Sequence, residues 1–176
     1  MKMKTFASCC ISLIVSGCIW GDHDYSLSSV QLAEPPDTPH RPNPHLKVEF
    51  STKADLPQIV ADGYPLQSWA YFCDRPDDYV FLSDLELYFH DQRVTGETEI
   101  VSTHGPVVYS TYLHIARQAV SPSVPAQLGY DMRQNTEDVC FYVRGGNPPL
   151  GYKSNIVRIP KGMIEEALKA AGGKSN

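Results

Sequence analysis

The chain has 176 residues and a formal net charge of -5, with 15 lysines and arginines against 20 aspartates and glutamates. That length suits one domain with a tail and is short for two separate cores. The cations are scattered, with no basic stripe and no aromatic-plus-arginine platform legible in the sequence, which excludes the electrostatic footprint of a nucleic-acid binder; the excess of acid suits solubility and would also suit a basic protein partner.

The first residues form a targeting pattern. Met1-Lys2-Met3-Lys4 is a short positive head, Thr5 to Val15 is mostly apolar, and small residues follow. A bilayer-crossing helix needs about 20 apolar residues, so this run reads as a secretory signal. Val15-Ser16-Gly17-Cys18 resembles the lipobox of bacterial lipoproteins: an aliphatic residue, two small residues and a cysteine. The resemblance implies a signal peptide over 1–17, cleavage before Cys18, and acylation of the Cys18 thiol and of the new amino terminus. The rivals are an ordinary secretory signal with an incidental cysteine and an apolar helix kept in the protein. Acyl chains contribute about 0.8 kcal/mol per buried CH₂, so two or more anchor stably. Ile19 follows the cysteine where Asp would resemble the inner-membrane retention signal of enteric lipoproteins, which implies an outer-membrane anchor facing the periplasm. Loss of Lys2 and Lys4 takes the formal charge from -5 to -7.

Residues 18–25 read as a tether, and Leu27 to Leu32 as a first strand with Ser28, Val30 and Leu32 on one face. From Glu34 to Pro44 five prolines remove amide donors and fix φ, which predicts an extended loop. His40 and His45 lie in and after it, with no further metal ligands beside them. Beyond this the period is two. Leu46, Val48 and Phe50 alternate with polar residues, as do Leu85, Leu87 and Phe89 with Glu86, Tyr88 and His90. Trp69, Tyr71 and Cys73 alternate with Ala70 and Phe72, Tyr109, Thr111, Leu113 and Ile115 with Ser110, Tyr112 and His114, and Val139, Phe141 and Val143 with Cys140, Tyr142 and Arg144. Ile156 to Ile159 makes a last short strand. Such alternation predicts half-buried strands, and the breaks at Asp62-Gly63, Asp74-Arg75-Pro76-Asp77, His104-Gly105-Pro106 and 144–149 carry turn chemistry. The predicted fold is all-β: an antiparallel sandwich, immunoglobulin-like or similar, spanning 26–172. Only the end looks helical, where Met163, Ile164, Ala167, Leu168 and Ala171 form an apolar stripe before Gly172-Gly173, and 173–176 is a tail.

Once Cys9 and Cys10 leave with the signal and Cys18 is acylated, Cys73 and Cys140 remain. An even pair in an oxidising compartment predicts a disulfide, with two buried free thiols as the rival. If Val139, Phe141 and Val143 face the core, Cys140 points with Tyr142 to the other side. The bond would then clip an outer face, or both faces are covered.

The chain carries no GxSxG, HExxH, phosphate-loop or GxGxxG motif. Its acids are spread, and His90-Asp91, His104 and His114 offer no compelling catalytic set, so the expectation is a protein without catalytic residues, metal or cofactor. Two loops are candidate partner contacts because Tyr and Arg anchor interfaces: one with Arg75, Asp77, Asp78 and Tyr79, the other running from Arg144 through Asn147 to Tyr152. The rival is that Pro and Gly merely shape two hairpins.

The Ser-Gly-Cys lipobox, the short linker with Trp20-Gly21-Asp22, the β-rich domain and the strand Val139-Cys140-Phe141-Tyr142-Val143 together resemble type VI secretion immunity lipoproteins. That resemblance implies a membrane-anchored periplasmic protein that binds a secreted toxin and neutralises it by occlusion. Of functional residues it transfers Cys18 alone. The immunoglobulin pattern itself is not met: Trp69 precedes Cys73, and Asp138 stands where a tyrosine corner would place Tyr. A structural or assembly lipoprotein of the envelope or of a secretion machine is the second expectation. An envelope enzyme would require converging acids or histidines in a pocket.

Overall fold

In the computed structural model, which describes residues 24–36, 45–76, 83, 85–100, 105–117, 129–147 and 150–172, the longest alternating runs become paired strands. Cys18, the predicted signal 1–17, His40, Asp77, Asp78, Tyr79, His104 and the tail 173–176 lie outside the described residues. The elements run β1 (Ser26–Ala33), β2 (His45–Thr52), α1 (Leu56–Ala61), β3 (Leu66–Phe72), β4 (Tyr88–Phe89), β5 (Gln92–Arg93), β6 (Val107–His114), β7 (Ala116–Arg117), β8 (Tyr130–Asp131), β9 (Val139–Asn147), β10 (Leu150–Lys153), β11 (Val157–Ile159) and α2 (Lys161–Gly172). The predicted all-β fold is borne out. Among the described residues one antiparallel sheet has the order β1-β2-β6-β4-β5, and a second is built on β9, with β3 on one flank and β10 and β11 on the other.

Register explains which side chains meet. Leu46, Val48 and Phe50 of β2 stand opposite Leu113, Thr111 and Tyr109 of β6, and residues directly opposite share a face. In the second sheet Val139 and Phe141 stand opposite Phe72 and Ala70, and also opposite Ile159 and Val157. All of these are buried. The inner faces meet at Phe50 and Phe141, whose rings are 5.4 Å apart. This is the layered core that the period of two requires.

The two sheets are stitched along one side by polar groups. Ser83 bridges Leu113, and its hydroxyl donates to the Ser68 carbonyl at 2.7 Å. The Ser68 amide donates to the Leu85 carbonyl at 2.9 Å, and the Thr111 hydroxyl to the Glu86 carbonyl at 3.0 Å. The Ser68 and Thr111 hydroxyls lie 2.6 Å apart. These bonds satisfy backbone groups that burial would otherwise strand. On the other side α2 packs against β1 and buries Ile164 and Ala167.

Four local expectations are corrected. Tyr25, read as the end of the tether, is buried; it stacks on Phe50 at 5.3 Å, and its amide and carbonyl are both held by the Asn155 side chain. Ser28 does not share a face with Val30 and Leu32. A register shift between Leu27 and Ser29 leaves Ser28 exposed and puts Leu27 in the core row instead, because a bulge inserts an unpaired residue. The alternation at 85–90 yields only the two-residue β4. Leu85 has φ 68°, and His90 and Asp91 have φ 48° and 59°, so the last two form a tight turn into β5, the backbone that right-twisted hairpins favour. Finally α1 forms where no helix was predicted. It is short, with the Asp55 carboxylate accepting from the Gln58 amide at 3.1 Å and Pro57 in the first turn.

Candidate functional site

Cys73 and Cys140 are joined, closing 67 residues of sequence separation. Phe72 and Val139 are opposite and buried, so their neighbours Cys73 and Cys140 project to the outer face of the second sheet. Of the two placements left open by the sequence, the bond therefore clips an outer face.

That face is ordered in three rows across the strands. Gln67, Arg144 and Lys153 stand side by side on β3, β9 and β10; Trp69 and Tyr142 form the next row; Tyr71, Cys140 and Arg158 form the third. Trp69, Tyr71 and Tyr142 are half-buried, and Gln67, Arg144, Lys153 and Arg158 are exposed. The rings of Tyr71 and Tyr142 meet edge-on at 6.3 Å. The Arg144 guanidinium lies 3.8 Å over the Trp69 ring centre and the Lys153 ammonium 4.7 Å over Tyr142. Such contacts are worth about 0.5–1 kcal/mol at exposed sites. Burial, with the Tyr142 ring beside it, raises the Tyr71 phenol above its ordinary pKa. Arg158 donates to Asp138 from Nε at 2.8 Å, and Asp138 also accepts from the Lys161 amide at 2.7 Å. The backbone amide first, and Arg158 next, hold the Asp138 carboxyl below the usual range.

The candidate contacts distribute differently from the sequence reading. Arg75 is engaged within the fold: its guanidinium reaches both Glu137 oxygens, at 2.7 and 3.3 Å, and lies 4.7 Å over the Phe72 ring. Residues 144–147 and 150–152 are strand and not loop. β9 continues to Asn147 and β10 begins at Leu150, opposite it. Arg144 faces outward on this hairpin, but Tyr152 faces inward and is buried, with its hydroxyl 2.5 Å from that of Tyr25. Tyr152 is thus a core residue and no surface anchor, because it stands opposite Gly145 on the inward parity of β9.

The outer face of the first sheet is polar and internally paired. Lys47 binds Asp91 at 2.8 Å and Glu49 at 3.6 Å, Ser29 donates to Glu49 at 2.7 Å, and the Tyr112 hydroxyl donates to Asp91 at 3.3 Å. The Lys47 bond is the main reason the Asp91 carboxyl sits below its usual range. His45 and His114 are cross-strand partners with ring nitrogens 3.0 Å apart. Among the described residues no three His, Cys, Asp or Glu side chains converge as metal ligands, and no helix is long and apolar enough to cross a membrane.

Sequence reasoning missed Trp69, Tyr71, Tyr142 and Lys153. A signal for the aromatics was present: Trp69 and Tyr71 share the parity of Cys73, and Tyr142 that of Cys140. Placing the disulfide on an outer face places all three rings there too. No family model, curated protein or solved structure matches the chain.

Proposed function

We propose that this protein is a lipid-anchored immunity lipoprotein of the cell envelope, facing the periplasm from the outer membrane, that neutralises a secreted toxin by binding and occluding it. The observation that carries the reading is the ordered aromatic and cationic face of the second sheet. Tyr, Trp and Arg are the residues that dominate binding energy in interfaces, and here Trp69, Tyr71, Tyr142 and Arg144 are presented on paired strands. Strand pairing and the Cys73–Cys140 bond restrain that face before any partner arrives, so little freedom is lost on association. The disulfide fits an oxidising compartment, and the lipobox-like Val15-Ser16-Gly17-Cys18 fits delivery and anchoring there. Occlusion needs no turnover of its own. The test is co-expression with candidate secreted toxins directed to the periplasm. Protection should require about one copy per toxin and should accompany a stable 1:1 complex. Protection at far lower ratios would contradict occlusion, and absence of both protection and complex would contradict the immunity reading.

A further inference from the structure

Arg144 and Lys153 are direct cross-strand partners on the outer face of the second sheet. Residues so placed have Cβ atoms about 4.5–5.5 Å apart, and like charges in that position repel. Neither has a carboxylate partner among the described residues; each lies over an aromatic ring instead, Arg144 on Trp69 and Lys153 on Tyr142. Five other described cations are paired with carboxylates: Lys47 with Asp91 and Glu49, Arg75 with Glu137, Arg93 with Glu86, Arg133 with Asp131 and Arg158 with Asp138. What sets Arg144 and Lys153 apart is that the two cations stand directly opposite each other on paired strands. The next outward pair along the same hairpin is Gly146 opposite Gly151, so that pair puts no side chain beside the two cations.

We propose that Arg144 and Lys153, seated on Trp69 and Tyr142, form a site for carboxylates on an acidic surface of a protein partner. A carboxylate between the two cations relieves their repulsion. The guanidinium offers it paired donors, and the rings below supply apolar contact. The inference rests on the reading of this protein as one that acts by binding, and it names the chemistry of the docking patch: acidic at this face, whatever the overall charge of the partner.

The experiment uses the purified protein carrying Trp20→Phe, which leaves Trp69 as its one tryptophan. Hexaglutamate, hexalysine, and vesicles of phosphatidylglycerol or phosphatidylcholine are titrated against Trp69 fluorescence. Hexaglutamate should give a saturable change that weakens several-fold between low and physiological salt; hexalysine should give none. Lys153→Gln and Arg144→Gln should each weaken hexaglutamate binding at least fivefold while the Cys73–Cys140 bond still forms. Lys153→Gln lies on an exposed position of a short strand, so it tests the site even if Arg144→Gln unsettles Trp69. No saturable response, or equal binding by both variants, overturns the proposal. A response confined to phosphatidylglycerol vesicles also overturns it, and makes the occupant a lipid headgroup. Toxin protection is not read here: loss of peptide binding removes this site and leaves the immunity reading to its own assay, and failed protection with intact peptide binding does the reverse.

Discussion

The hydroxyls of Tyr25 and Tyr152 meet at 2.5 Å inside the core, where each would be costly to bury alone. Removing one leaves the other with less compensation. Tyr152→Phe is expected to cost about 1–2 kcal/mol, and the double variant with Tyr25→Phe less than the sum of the singles, read from urea unfolding as a double-mutant cycle. The pair also sets a pH limit. Burial pushes the Tyr152 phenol up to about 12, and raises Tyr25 as well, chiefly by burial and then by its neighbour Tyr152. An unfolded tyrosine titrates near about 10. The folded state thus holds its protons more tightly: this stability is fully present below about pH 10 and is lost as pH rises through the folded value. The urea midpoint should be flat in this respect to about pH 10 and fall above it, and the fall should be shallower in the double phenylalanine variant. An equally steep fall in that variant would place the alkaline sensitivity elsewhere.

Strands and helices here depend on individual contacts at their ends and centres. α2 starts where the Asp138 carboxylate, from the approach to β9, accepts the Lys161 amide. The group does the work of an N-cap from a distant part of the chain. Because its pKa is lowered, its contribution is present above the unfolded value of about 3.9 and is lost as pH falls through the folded one. Amide protection factors over the first turn of α2 should drop in Asp138→Ala at neutral pH, and in the native protein only under acid; Asp138→Asn, which keeps an acceptor oxygen, should lie between. In the hairpin, Gly145 has no room for a side chain: an added Cβ would come within 2.8 Å of Leu66 Cδ2 and 2.9 Å of the Pro65 carbonyl oxygen. Gly145→Ala should cost about 1–3 kcal/mol by urea unfolding, and a neutral outcome would mean that β3 and β9 separate more easily than their packing suggests.

At the scale of the molecule, one covalent bond in the structure and one proposed acylation can each be tested. The Cys73–Cys140 bond spans a separation of 67 residues, and in the chain-entropy model such a closure stabilises by about 4 kcal/mol. The Cys73→Ala/Cys140→Ala double variant should lose stability of that order in urea. If instead its midpoint matched the oxidised protein, the bond would serve the outer face and not the fold. Cys18 sets location in the proposed function: Cys18→Ser should abolish fatty-acid labelling and release the protein from the membrane fraction, and unchanged labelling would end the lipoprotein reading.

Period-two alternation sufficed to mark β2, β6 and β9 and the all-β class, since a half-buried strand imposes that period on its own residues. The cysteine pair was legible for a similar reason: thiol chemistry and the expected compartment limited the partners. The Ser28 bulge and the shrinkage of β4 were not legible, because each is settled by neighbours distant in sequence or by one backbone angle; α1 carries local signals in Asp55 and Pro57, but at six residues it is too short for an apolar period to mark it. Tyr25 and Tyr152 illustrate the same limit. Near a tether and in a Gly/Pro-rich stretch they read as surface residues, yet the fold brings them together across a sequence separation of 127 and buries them both. The candidate site lies at that boundary. Parity along each strand assigned Trp69, Tyr71 and Tyr142 to the faces of their cysteines, but pairing of β9 with β10 set Arg144 against Lys153, and register between strands is a property of the assembled sheet.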